Sequence, residues 1–140
     1  MKLALLDVNV LLALAWPNHQ HHGRAHEWFF RESGNGWATC ALTQLAFVRL
    51  SSNPSYTSAA VTPPVAASLL IALALHDKHQ FWSDLPPVAV DVFTRALGHQ
   101  QVTDAYLVRL AERYGGRVVT FDAPLREHAR DPHAVTVVDV

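Results

Sequence analysis

Leu3 to Leu6 is an unbroken apolar run closed by Asp7, the pattern of a strand buried on both faces. Val10 to Trp16 predicts a short apolar helix stopped by Pro17, and Asn18 is placed to N-cap a second helix reaching about Arg31, which Gly34-Asn35-Gly36 breaks. Trp37 to Cys40 reads as a short strand, followed by a helix carrying Leu45, Val48 and Leu50, capped by Thr39 or Thr43 and closed at Ser51-Ser52-Asn53-Pro54. Ser55 to Pro64 is loop-like, yet Thr62-Pro63 within it is an N-cap followed by a first-turn proline, opening a helix to about His76. Phe81-Trp82 falls in a loop, Leu85-Pro86-Pro87 is a boundary, Val88 to Val90 a short apolar run, and Asp91 to Leu97 a helix ended by Gly98.

Thr103-Asp104 opens the most regular helix, with Ala105, Leu107, Val108, Leu110 and Ala111 on one stripe and Gly115-Gly116 as its stop. Arg117 to Phe121 is a strand, Asp122-Ala123-Pro124 starts a short helix ending before Asp131-Pro132, and Ala134 to Val138 is a last β-branched strand. Strands alternating with helices along the chain predict the α/β class, with a mostly parallel sheet covered by helices on both faces.

Composition narrows the function classes. A chain of 140 residues matches one domain of ordinary size, and 50% hydrophobic against 16% charged residues is the balance of a folded core. The longest apolar stretch, Val65 to Leu75, is interrupted by Ser68 and falls well short of the roughly 20 residues a membrane helix needs. Asp7 follows the N-terminal apolar residues without a cleavage-type site, so no secretory signal is expected, and the single cysteine, Cys40, fits a reducing, cytoplasmic setting. A net charge of -1 excludes a globally basic nucleic-acid binder while allowing a local arginine patch.

The candidate chemistry lies in three acids. Asp7 and Asp122 each follow an apolar strand and Asp104 sits just inside a helix start. Ligands of open α/β sheets bind outside the carboxyl ends of the strands, so these positions can converge from distant parts of the chain. Three carboxylates there would suit a hard cation such as Mg²⁺, which takes oxygen ligands, keeps several waters and can activate one of them against a phosphodiester. Taken singly, Asp104 is favoured by the helix dipole and Asp122 reads as an ordinary N-cap, whereas a carboxylate closing a buried strand, as Asp7 does, needs a partner.

The segments Leu5-Leu6-Asp7-Val8-Asn9-Val10, Val102-Thr103-Asp104-Ala105-Tyr106-Leu107 and Val119-Thr120-Phe121-Asp122 resemble the three acidic motifs of PIN-domain ribonucleases. Pro17-Asn18-His19-Gln20-His21-His22, Trp37 to Gln44 and Phe47-Val48-Arg49-Leu50-Ser51 are similar to one branch of the VapC-type toxins of bacterial toxin-antitoxin pairs. The resemblance spans essentially the whole chain. It implies one nuclease domain over residues 1–140, a three-layer α/β/α sandwich, and an endoribonuclease with Asp7, Asp104 and Asp122 holding Mg²⁺ or Mn²⁺. It further implies structured cellular RNA, transfer or ribosomal, as substrate, a VapB-type antitoxin as inhibitor, and a homodimer.

One position departs from the family pattern. Many PIN domains carry a glutamate on the helix after the second strand, where this chain has Gln44. An amide can accept a hydrogen bond or orient a water, but it supplies no charge and no general base, so a single tight metal site is expected. Thr103 and Thr120 lie beside the acids as candidate partners for a carboxylate or a phosphate, and Arg49, on the helix of Gln44, is the arginine expected nearest the substrate.

His19, His21, His22 and His26 crowd one helix start, with His22 and His26 on one face. Zinc catalysis is disfavoured, since no H-E-x-x-H occurs and Cys40 has no zinc-type spacing; the cluster reads as a solvated face, or as placing His19 or His22 against RNA or antitoxin. Trp28, Phe29 and Phe30 are expected in the core or a dimer contact, and Phe81-Trp82 as a place to stack a base or bind a partner. Two other classes compete. A PIN-like RNA- or antitoxin-binding module would have lost catalysis with the fourth acid, and a phospho-acceptor domain also uses an Asp at a strand end, but no lysine follows Lys78 to serve it.

Overall fold

The computed structural model describes residues 2–139. Its strands are β1 (Ala4–Leu6), β2 (Trp37–Cys40), β3 (His79–Trp82), β4 (Arg117–Thr120) and β5 (Val135–Val137), all parallel in one sheet of order β3-β2-β1-β4-β5. The helices are α1 (Val8–Ala15), α2 (His22–Glu32), α3 (Ala41–Ser51), α4 (Pro63–Ala74) and α5 (Val102–Arg113).

The two-residue period of each strand divides the core into two layers. Ala4, Leu6, Trp37 and Val119 face one way, against Leu11, Leu12, Trp28, Phe47 and Leu70 from α1 to α4. Leu5, Ala38, Cys40 and Val118 face the other, against Leu107, Val108, Leu110 and Ala111 of α5. This is the α/β/α sandwich expected, with β1 central and Asp7 at its carboxyl end.

Several local expectations are corrected. Asn18 does not cap α2, which starts at His22 after a turn. Helix α3 is capped at Cys40 rather than by Thr39 or Thr43; Thr43 instead closes a capping box, its hydroxyl accepting from Cys40 N at 3.1 Å. Phe81-Trp82 is not loop but the end of β3, because its partner β2 supplies the ladder that the polar residues His79 and Gln80 do not advertise. Trp82 is buried and stacked on Tyr114 at 4.1 Å, so it offers no surface to a base, whereas Phe81 stays half exposed. The helix expected over Asp91 to Leu97 is only a 3₁₀ turn over Val90–Phe93, whose apolar side chains find no buried stripe. Of the aromatic trio, Trp28 and Phe29 join the core and Phe30 is exposed.

Candidate active site

The sharp exit of β1 into α1 makes Asp7 the helix N-cap, with Oδ1 accepting from Val8 N at 2.8 Å. Its other oxygen, Oδ2, accepts from the Thr120 hydroxyl at 2.8 Å, one strand away on β4. Thr120 Oγ1 in turn accepts from Asp122 N at 3.0 Å and from Asn9 Nδ2 at 3.2 Å, while Asn9 Oδ1 accepts from Phe121 N at 3.4 Å. One buried hydroxyl thus ties together β1, the first turn of α1 and the end of β4. Sequence reasoning missed Asn9, although it is a polar break in an apolar run two residues after Asp7.

Asp104 comes to the same end of the sheet from the first turn of α5, and Asp122 is exposed beyond β4, its carboxylate accepting no cap hydrogen bond. Burial holds the Asp7 carboxyl above the ordinary carboxylate range, against the pull of the Thr120 and Val8 hydrogen bonds, and the Asp122 charge adds to the rise. The Asp104 carboxyl is pushed up to about 6, first by burial and then by the charges of Asp7 and Asp122. The three acids therefore feel one another, and among the described residues no lysine or arginine forms an ion pair with any of them.

Among the described residues no three His, Cys, Asp or Glu side chains form a ready-made ligand cage, these aspartates included. The donor chemistry fits a hard cation that keeps its own waters: carboxylate oxygens only, with mutual repulsion that no cationic side chain among the described residues relieves. Asp7, Asp104 and Asp122 are the residues that would hold it.

The remaining residues that the sequence pointed to divide. Thr120 lies at the heart of the site. Gln44 Nε2 donates to Thr39 Oγ1 at 3.0 Å, and Thr39 meets His79 Nε2 at 2.8 Å. Thr39 shares its sheet face with Trp37, whereas Thr120 shares the opposite face with Val118, so Gln44 is tied away from the Asp7–Thr120 link. Thr103 lines an apolar groove with Val102, Tyr106 and Pro86, and Arg49 is exposed without an ion pair among the described residues. His22 Nδ1 meets Ala13 O at 2.7 Å and His26 Nε2 meets Leu14 O at 2.8 Å, so this pair serves the open carbonyls at the end of α1.

A family model described as PIN domain matches residues 4–131. The chain belongs to the PIN-domain family. Within it, the chain is 48% identical over 129 residues to Ribonuclease VapC39 of Mycobacterium tuberculosis, covering 90% of this chain and 93% of that protein. It is 47% identical to Ribonuclease VapC38 of the same organism over 121 residues, covering 86% of each. The solved structure of Mycobacterium tuberculosis VapC20, a sarcin-ricin loop cleaving toxin, superposes with a TM-score of 0.64 over 92% of this chain and 97% of that one, at 12% identity, a likeness of fold. This PIN domain is thus of the VapC type. No helix among the described residues is long and apolar enough to cross a membrane.

Proposed function

We propose that this VapC-type PIN domain is a divalent-metal-dependent endoribonuclease toxin, cutting structured cellular RNA in the cytoplasm and held in check by a VapB-type antitoxin. The observation that carries the reading is the meeting of Asp7, Asp104 and Asp122, 115 residues apart in sequence at the extremes, around one end of the sheet with no cationic side chain among the described residues paired to them. The ribonuclease names of the relatives support the activity, and the sarcin-ricin loop cleaved by the fold neighbour VapC20 makes ribosomal RNA, beside transfer RNA, a substrate class to test.

Bound Mg²⁺ or Mn²⁺ would polarise the scissile phosphate and lower the pKa of the attacking water, giving 5′-phosphate and 3′-hydroxyl ends. The chain's own groups prepare the site for it. Thr120 and the Val8 N–H hold both Asp7 oxygens in place, so little reorganisation remains when the substrate arrives. In the metal-free site the Asp104 carboxyl is raised to about 6, so a cation held there would compete with that proton and bind more tightly as pH rises. Gln44 adds no charge, so one tight ion is expected. Arg49 is available for a phosphate, Thr103 for the flanking backbone, and His22 through the ring nitrogen that Ala13 does not engage. A homodimer is part of the same proposal.

The tying of Gln44 to Thr39 favours a second reading, an RNA- or antitoxin-binding module without catalysis. Purified, antitoxin-free protein incubated with total RNA and Mg²⁺ or Mn²⁺, beside Asp7→Asn, Asp104→Asn and excess EDTA, separates the two. Discrete 5′-phosphate fragments that vanish in both variants and with chelator establish the nuclease. Folded protein that binds metal and leaves RNA intact selects the binding module, and 2′,3′-cyclic phosphate ends would overturn the water-attack chemistry.

A further inference from the structure

Past the end of α1 lies a cleft of 340 Å³ lined by Trp16, Asn18, His19, Gln20, Tyr56 and Thr57. None of these side chains is ionised except through histidine protonation, so the cleft is unsuited to an isolated phosphate or a charged side chain. It pairs two aromatic rings with neutral amide, hydroxyl and imidazole groups, the mixture that binds a flat, neutral heterocycle with donors and acceptors on its edge. The Trp16 indole N–H is already committed to Ser51 Oγ at 3.0 Å, which fixes that ring as a wall. Tyr56 is 48% exposed in spite of its size.

Hydrogen-bond direction assigns the imidazole. His19 Nδ1 accepts from the backbone N–H of His21 at 3.0 Å, so in the neutral ring the proton is on Nε2, and His19 has a donor to offer. Burial, with the charges of His21 and His22 adding to it, holds this imidazole below its ordinary pKa, which favours that neutral form.

A chain of ring contacts leads from the cleft towards the strand end that carries Asp122. The His19 ring lies 5.7 Å from that of His21, and the His21 ring packs on Phe121 at 4.8 Å, the residue immediately before Asp122. An RNA strand crossing the acids therefore has, two ring-to-ring steps away, a recess matching one of its bases.

We propose that the Trp16–Tyr56 cleft receives an unstacked nucleobase of the RNA substrate, with Asn18, His19 and Gln20 reading its edge, and so sets which sites are cut. The assignment rests on the nuclease reading for its purpose, but its test does not depend on cleavage.

The test uses ¹⁵N-labelled full-length protein in EDTA, titrated with single-stranded RNA heptamers of random sequence and, separately, with an abasic ribose-phosphate heptamer. The readout is the Trp16 indole N–H resonance, assigned with Trp16→Phe. A saturable shift with RNA, about tenfold weaker with the abasic chain and in Tyr56→Ala but kept in Tyr56→Phe, is the expected result. Equal shifts from both oligomers would mean backbone contact alone and overturn the proposal; no shift from either overturns it and leaves the cleft to a protein partner. Binding here without cleavage in the total-RNA assay retires the nuclease alone. Cleavage without the Trp16 shift retires the cleft alone.

Discussion

The Thr120 hydroxyl donates to Asp7 Oδ2 across 113 residues of sequence, and the same oxygen of Thr120 accepts from the backbone N–H of Asp122. A single fully buried side chain therefore sets the position of one acid and the backbone of another. Replacing it with valine keeps the shape and removes the link, leaving a buried carboxylate oxygen and two N–H donors short of a partner. Thr120→Val is expected to lose on the order of 1–3 kcal/mol of stability in chemical denaturation and at least about tenfold in RNA cleavage, one displaced transition-state contact being worth that much or more. Thr120→Ser, which keeps the hydroxyl, is expected to retain most of both.

Asp104 gives a pH dependence of definite sign. Its folded-state pKa of about 6 lies above the ordinary 3.8, so the metal-free fold binds this proton more tightly than the unfolded chain does. That contribution to stability is complete below the unfolded value and is lost as pH rises through about 6; the raised Asp7 acts in the same direction. In EDTA, Asp104→Asn is therefore expected to raise the melting temperature at pH 7 and to change it little at pH 4. An unchanged or lower melting temperature at pH 7 would refute the burial and charge repulsion that together raise the Asp104 carboxyl.

Gln44 donates to Thr39, which frees the Thr39 proton for His79 Nε2, consistent with a neutral His79 whose imidazole is held below its ordinary pKa by burial. A glutamate at 44 has no N–H to donate, draws the Thr39 proton to itself and adds a negative charge. Gln44→Glu is expected to raise the pKa of His79, read from its ring C–H resonances. No change on substitution would show that the relay does not carry this coupling.

Gly116 is crowded from both sides of its missing side chain. A Cβ there would stand 2.7 Å from Leu3 O, a rigid backbone atom, and 2.9 Å from the Trp82 ring. Gly116→Ala is expected to destabilise by about 1–3 kcal/mol, the usual cost of overpacking, with a lower denaturation midpoint as the check. Gly115, at φ +68 with open space around it, ends α5 instead through its left-handed backbone.

What the chain declares locally was legible in the order of its residues. The apolar run at Leu3 to Leu6, the strand pattern of Arg117 to Phe121, the proline and glycine stops, and the stripe of α5 all act over a few residues, so the α/β class and the places of the three acids at strand ends and a helix start follow from them. β3 escaped because His79-Gln80-Phe81-Trp82 lacks an apolar run and becomes a strand only on meeting the edge of β2. The reverse error, a helix over Asp91 to Leu97, arose where helical spacing had no core to pack on.

The site divides the same way. That Asp7 closes a strand is written in the sequence itself. That its carboxylate rests on Thr120, that Gln44 turns to Thr39, and that His22 and His26 serve the end of α1 were decided only by the tertiary structure. Each of those partners is chosen by which faces of the sheet and helices meet, and hydrogen bonds of about 3 Å between residues far apart in sequence exist only once the parallel strands have set that register.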